Sequence, residues 1–109
     1  STYVGGEDTG YNGETGVSIV VHTFQFHDPV TGRSQVVKIP ADPTISQAHI
    51  EDMAAQALET FLIECRVKNS KKKPTVAQRK EIGKQLEEFR QYALKRREST
   101  NNRIYYRGV

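Results

Sequence analysis

The strongest constraint on this chain is a run of apolar side chains at helical spacing: Ile50, Met53, Ala54, Ala57, Leu58, Phe61, Leu62 and Cys65. Counted from Ile50 they fall at i, i+3, i+4, i+7, i+8, i+11, i+12 and i+15, one face of an α-helix held for more than four turns. A face that long must be buried, so the core is expected to form on it. Ile63 and Val67 lie off the stripe and widen it, which predicts two neighbours, a β-hairpin and a second helix. The spacing predicts this helix over 43–67, with Glu51, Asp52, Glu59 and Glu64 on its solvated side. Two entries are open. Asp42 can cap ahead of Pro43 at the first helical position, or Thr44 can cap with Gln47 completing a capping box.

A second helix is expected over 75–99, with Ile82, Leu86, Phe89 and Ala93 as a narrow seam and Val76, Tyr92 and Leu94 beside it. The break at KNSKKKP is short, so the two helices should be antiparallel neighbours. Gly83, inside the second helix, costs about 1 kcal/mol relative to Ala, which suggests a close approach to the first helix there.

Ahead of the helices, VSIVVHTFQFH (17–27) is rich in β-branched and aromatic residues and reads as a strand. Its apolar parity shifts near His22 and Thr23, which calls for a bulge or for cover on both faces. A Pro- and Gly-marked connection leads to a second strand over 34–39, stopped by Pro40. Two strands alone are marginal. A third is expected from Ile104-Tyr105-Tyr106 in the tail 100–109, after the stop signal Thr100-Asn101-Asn102, unless that segment is an exposed docking tail. Residues 1–16 hold five glycines and few apolar side chains, and read as a flexible arm with Tyr3, Val4 and Tyr11 as its only anchors. The expected architecture is therefore a single α+β domain over 17–109, a small antiparallel hairpin packed on an antiparallel two-helix hairpin.

Chemistry is sparse. The three histidines give no metal-ligand spacing: His22 and His27 fall on opposite strand faces, and His49 sits alone in the first helical turn. No nucleophile elbow, phosphate loop or zinc-protease motif is present. The single Cys65 excludes an intramolecular disulfide and falls on the apolar face as a small hydrophobe. No catalytic residue, metal, cofactor, small-molecule substrate or membrane contact is expected, and the default compartment is reducing and cytoplasmic, or the inside of an intracellularly assembled particle.

The informative signal is charge. Residues 1–65 carry a net −7 and residues 66–109 a net +10, giving +3 for the 109-residue chain. Seven positive charges and no acid lie between Arg66 and Lys80, and Lys95-Arg96-Arg97 closes the second helix. Lys68, Lys71, Lys72, Lys73, Arg79, Lys80, Lys95, Arg96 and Arg97 are thus the candidate contacts to phosphates or to an acidic partner, with Tyr105, Tyr106 and Arg107 as a docking tail. The two clusters should lie roughly 33 Å apart along the helix. The expected function is a structural or adaptor subunit of a protein assembly, including self-assembly, docking through the basic half, the arm and the sheet edge. The alternatives are phosphate-directed nucleic-acid binding and a small protein inhibitor or regulator.

Overall fold

The computed structural model describes the backbone of residues 1–12, 17–67 and 72–107, and the side chains of 1–9, 18–67 and 72–97. Three strands precede two helices: β1 (Thr2–Asn12), β2 (Val17–His27), β3 (Ser34–Ala41), α1 (Gln47–Arg66) and α2 (Val76–Arg107). The strands form an antiparallel sheet in the order β1-β2-β3, and both helices pack on one side of it. The protein is an α+β fold.

β2 and β3 pair without irregularity from Val20↔Ala41 to His27↔Ser34. The expected irregularity near Thr23 therefore puts no extra residue into β2; it falls on its N-terminal neighbour, between Tyr3 and Gly5, opposite Phe24 and Thr23. Phe24 and Phe26 face the helices and are buried, while Ile19 points to the opposite face and stays 39% exposed. The hairpin loop is closed by the Asp28 N–H donating to the Arg33 carbonyl at 2.8 Å and the Gly32 N–H donating to the Asp28 carbonyl at 2.8 Å. Gly32 sits at φ +76°, a conformation that favours glycine. The Asp28–Arg33 bond also sets the phase of the ladder. Ser34, Val36, Lys38 and Pro40 turn their backbone groups to the open edge, where the missing N–H of Pro40 breaks no ladder bond. The strand accordingly runs through Pro40 to Ala41 instead of stopping before it.

The third strand comes from the N-terminus. Thr2–Asn12, expected as a flexible arm, pairs with β2 from Thr2↔Gln25 to Asn12↔Val17, with register shifts between Tyr3 and Gly5 and between Asp8 and Tyr11. The expected strand at Ile104-Tyr105-Tyr106 is overturned, because α2 continues as helix through Arg107. A helix already nucleated upstream gains a hydrogen bond for each residue added, and Thr and Asn cost it only fractions of a kcal/mol each, up to about 0.7. The side chains of Tyr105, Tyr106 and Arg107 lie outside the described residues, as do residues 13–16.

Both helix entries are capped by side chains. α1 starts at Gln47, with the Ser46 hydroxyl accepting from the His49 N–H at 3.2 Å. Neither Asp42 nor Thr44 is the cap. The Asp42 carboxylate instead accepts from the Thr44 N–H and hydroxyl at 2.8 and 2.6 Å, holding the turn before the helix. At α2, Thr75 and Gln78 form a reciprocal capping box, Gln78 N–H to the Thr75 hydroxyl at 3.2 Å and Thr75 N–H to the Gln78 side chain at 2.8 Å.

The core forms on the predicted face of α1. Ile50, Ala54, Leu58, Phe61 and Leu62 are buried against Phe24 and Phe26 of the sheet and Ile82 and Phe89 of α2. Phe26 meets Phe61 at a centroid separation of 6.1 Å, and Phe24 meets Phe89 at 6.0 Å. Met53, Ala57 and Cys65 are only partly buried at its edge. The helices are antiparallel, since Arg66 of α1 meets Glu81 of α2 while Glu51 meets Arg97. Among the described residues Gly83 serves no close approach. A Cβ built there meets nothing within 4 Å.

Candidate interaction surfaces

Part of the charge gradient is spent inside the fold. Arg66, the last residue of α1, reaches two carboxylates. Its guanidinium donates to Asp28 at 2.5 and 2.7 Å and to Glu81 at 2.7 and 3.3 Å. The Arg66 side chain is 5% exposed and that of Asp28 is 0% exposed. Asp28 also accepts from the Val30 and Thr31 N–H groups and from the Thr31 hydroxyl. Five donated hydrogen bonds satisfy a carboxylate that water cannot reach. The Arg66 guanidinium beside Asp28 holds its carboxyl well below the usual range. This one cluster ties the β2–β3 loop, the end of α1 and the start of α2 together.

Two further pairs close the other end. Arg97 sits 2.7 Å from Glu51, and Arg90 lies 3.4 Å from Asp52. Burial pushes the Glu51 carboxyl up, with Arg97 pulling the other way. The Arg90–Asp52 pair is half exposed and contributes little, in the range of 0–1 kcal/mol.

β1 is anchored near its start by Tyr3; the side chain of Tyr11 lies outside the described residues. The Tyr3 ring packs edge-on against Phe24 at 5.0 Å and carries the Arg96 guanidinium 4.0 Å above its face. The Tyr3 N–H donates to the Tyr92 hydroxyl at 3.2 Å, and the Tyr3 hydroxyl meets Nδ1 of His22 at 3.0 Å. Burial raises the Tyr3 phenol and lowers His22. Both directions favour the neutral forms of the pair, which share one hydrogen bond. A Cβ at Gly6 would stand 2.8 Å from the Tyr3 hydroxyl, so glycine there leaves the pair its room. Each member of this cluster has a structural partner, and none is placed as a nucleophile.

The predicted binding residues separate accordingly. Lys72, Lys73, Arg79 and Lys80 are exposed around the entry to α2 and form one basic end; Lys84, also exposed, follows one turn on from Lys80. Lys68 and Lys71 lie outside the described residues. Lys95 is exposed, but Arg96 and Arg97 are drawn into contacts with Tyr3 and Glu51, so the second basic cluster is mainly a clasp between α2 and the rest of the fold.

The surface that sequence reasoning underweighted is the outer face of the sheet. Ile19 and Val21 follow one another along β2 on that face, Pro40 lies opposite Val21, and Val36 lies opposite Gln25. Val36 is 58% exposed and Ile19 39%. Lys38, opposite Thr23, stands between the two apolar ends. The alternation in SQVVKIP carries this pattern: the residues turned outward are Val36, Lys38 and Pro40. Of the two edges, β1 is broken by its register shifts, whereas β3 is regular and defended only by Lys38 and Pro40.

Among the described residues no group of three or more His, Cys, Asp or Glu side chains could hold a metal ion, and no helix is long and apolar enough to cross a membrane. No family model matches the chain, and neither does any curated protein or solved structure.

Proposed function

We propose that the protein is a non-enzymatic structural or adaptor subunit of a protein assembly, joined through the open face and β3 edge of its sheet. The observation that carries this reading is the one-sided sheet. Its inner face is packed on two helices, while its outer face keeps Ile19, Val36 and Pro40 in solvent beside a regular edge that no other described strand pairs. An exposed edge of this kind is a template for strand addition, and an apolar patch beside it supplies area to bury. The withdrawal of Arg96 and Arg97 into the fold removes two of the cations that a phosphate-binding helix would need.

Amine-reactive cross-linking with mass spectrometry tests the reading at Lys38, in the middle of the outer face. The expected result is intermolecular cross-links from Lys38 to another protein chain. Phosphate binding at the α2 entry predicts a different pattern. Nucleic-acid affinity would fall by roughly 10³-fold or more from 50 to 200 mM salt for six or more contacts, and Lys38 would link only within its own chain. That pattern would overturn the proposal.

A further inference from the structure

We infer that two copies of this chain join β3 to β3 about a two-fold axis at Val37, making one six-stranded sheet with the helices of both copies in a single layer beneath it. The inference rests on the assembly reading and deepens it, by naming a second copy as the partner at the β3 edge.

The phase of the edge selects the register. β3 is regular over Ser34–Ala41, and Ser34, Val36, Lys38 and Pro40 turn their backbone groups away from β2. An antiparallel copy can be centred on Val36, Val37 or Lys38 with these residues still opposite one another. Centred on Lys38, the strands set ammonium against ammonium, and Pro40 has no N–H to give Val36. Centred on Val36, they bring the half-buried Val37 opposite the exposed Gln35. Centred on Val37, they pair Val36 of each copy with Lys38 of the other, and the Ser34 N–H donates to the Pro40 carbonyl. The N–H that Pro40 lacks is then missed only at the end of the ladder. On the inner face Val37 meets Val37.

A bare strand from any protein would fill that ladder. The helix beneath the edge is what singles out a second copy. α1 packs under β2 and β3, with Phe61 against Phe26 and with Val37 and Ile39 at the margin of the core. Its Glu51, Asp52 and Arg66 turn to α2. At 100° per residue Met53, Ala57 and Glu64 lie on roughly the opposite side. Met53 and Ala57 are only half-buried, as are Val37 and Ile39, so an apolar strip under the β3 edge is left partly covered.

The two layers share one axis. Phe26, which Phe61 meets, lies opposite Gln35. Ala57 precedes Phe61 by one turn, about 6 Å, or about two residues of strand, and so stands under Val37. With α1 beneath β2 and β3, its axis lies about one strand spacing, ~4.8 Å, from the two-fold. The two α1 helices would therefore run antiparallel about 10 Å apart, a packing distance, with the small Ala57 at the crossing. Symmetry brings this helix to the strip, whereas a lone strand would leave Met53 and Ala57 as they are. Glu64 is the one charged side chain of α1 on this side. Seven residues from Ala57, it stands about 20 Å from its mate and level with the second copy's His49. The interface is isologous, with apolar residues at its centre and no like charges facing across it.

Light scattering on the full chain across a concentration series tests the pairing, with Val36→Pro and Ala57→Glu as variants and circular dichroism as the check on folding. Val36→Pro removes an N–H that points off the edge and leaves the β2 ladder intact, as Pro40 already does. It blocks any added strand. Ala57→Glu sets two carboxylates beside the axis and blocks only a partner that brings this helix. The expected result is a wild-type dimer whose dissociation constant rises at least about tenfold in each variant. Mild oxidation fixes the register. In a Cys65→Ser background, Val37→Cys should cross-link two copies, because residues facing each other there have Cα atoms about 4.5 Å apart. Gln35→Cys, displaced from its own mate by four residues, should not. A monomer at every concentration, a dimer indifferent to either variant, or trapping at residue 35 and not at 37 overturns the inference. A monomer whose Lys38 still cross-links to a different protein would remove the dimer and leave the assembly reading standing.

Discussion

Replacing Arg66 with Met is expected to cost about 3–5 kcal/mol, as for other buried ion pairs broken by removal of one partner. That is a large share of the roughly 5–15 kcal/mol by which a domain is normally stable. The reason is the fate of Asp28. It is fully buried, and two of its five hydrogen bonds come from Arg66. Without the guanidinium its charge is left in the interior with only the loop donors. Exchanging both partners, as Asp28→Asn with Arg66→Met, should lose less than the sum of the single changes, because the orphaned charge is gone. The pH dependence follows from the same geometry. Asp28 is held below its ordinary range in the folded state, so at acid pH the unfolded chain binds more protons. The stability it contributes is present above about pH 4 and is lost progressively as pH falls below that point. Denaturant unfolding of wild type and the Asp28→Asn/Arg66→Met variant over pH 2 to 7 checks this. The double variant should show the shallower acid loss, and equal slopes would contradict the assignment.

Phe26→Ala is expected to be as damaging, at about 3–5 kcal/mol. Phe26 is 0% exposed and joins the sheet to α1 through Phe61. Its removal opens a cavity in the buried core beside Phe61. Ile19→Ala, on the same strand but the outer face, should stay within about 0.5 kcal/mol in the isolated chain. Chemical denaturation of the two variants side by side measures the difference. An Ile19 change as costly as the Phe26 change would mean that the outer face is covered after all.

Much of this fold is legible in the sequence, because its signals are local. The α1 stripe, the β-branched run of β2 and the Ile82–Ala93 seam each carry their own periodicity, and together they dictate a helical hairpin under a β-hairpin. β1 was not legible. Its strand forms because Tyr3 finds Phe24, Tyr92 and Arg96, partners up to 93 positions away in the chain that no local pattern announces. The end of α2 is illegible for a related reason: Thr100-Asn101-Asn102 looks like a stop, but a helix already running passes such residues at small cost.

The charge gradient is legible in the sequence as a sum and only partly as a surface. Arg66 stands at the head of the basic run, yet its neighbour in space is Asp28, in a loop whose Asp-x-x-Thr pattern marks an Asx turn. Arg97 and Arg90 likewise answer Glu51 and Asp52. The acidic half and the basic half meet first within one chain. What remains for partners is the exposed cationic entry of α2 and the outer face of the sheet.

The most direct test of the assembly reading is the mass of the particle that contains this chain, measured by native mass spectrometry after recovery from its own cells and digestion with nuclease. The account predicts a particle of protein alone, heavier than one chain, that persists through the digestion. A single chain, or a complex that the nuclease dissolves, would contradict it.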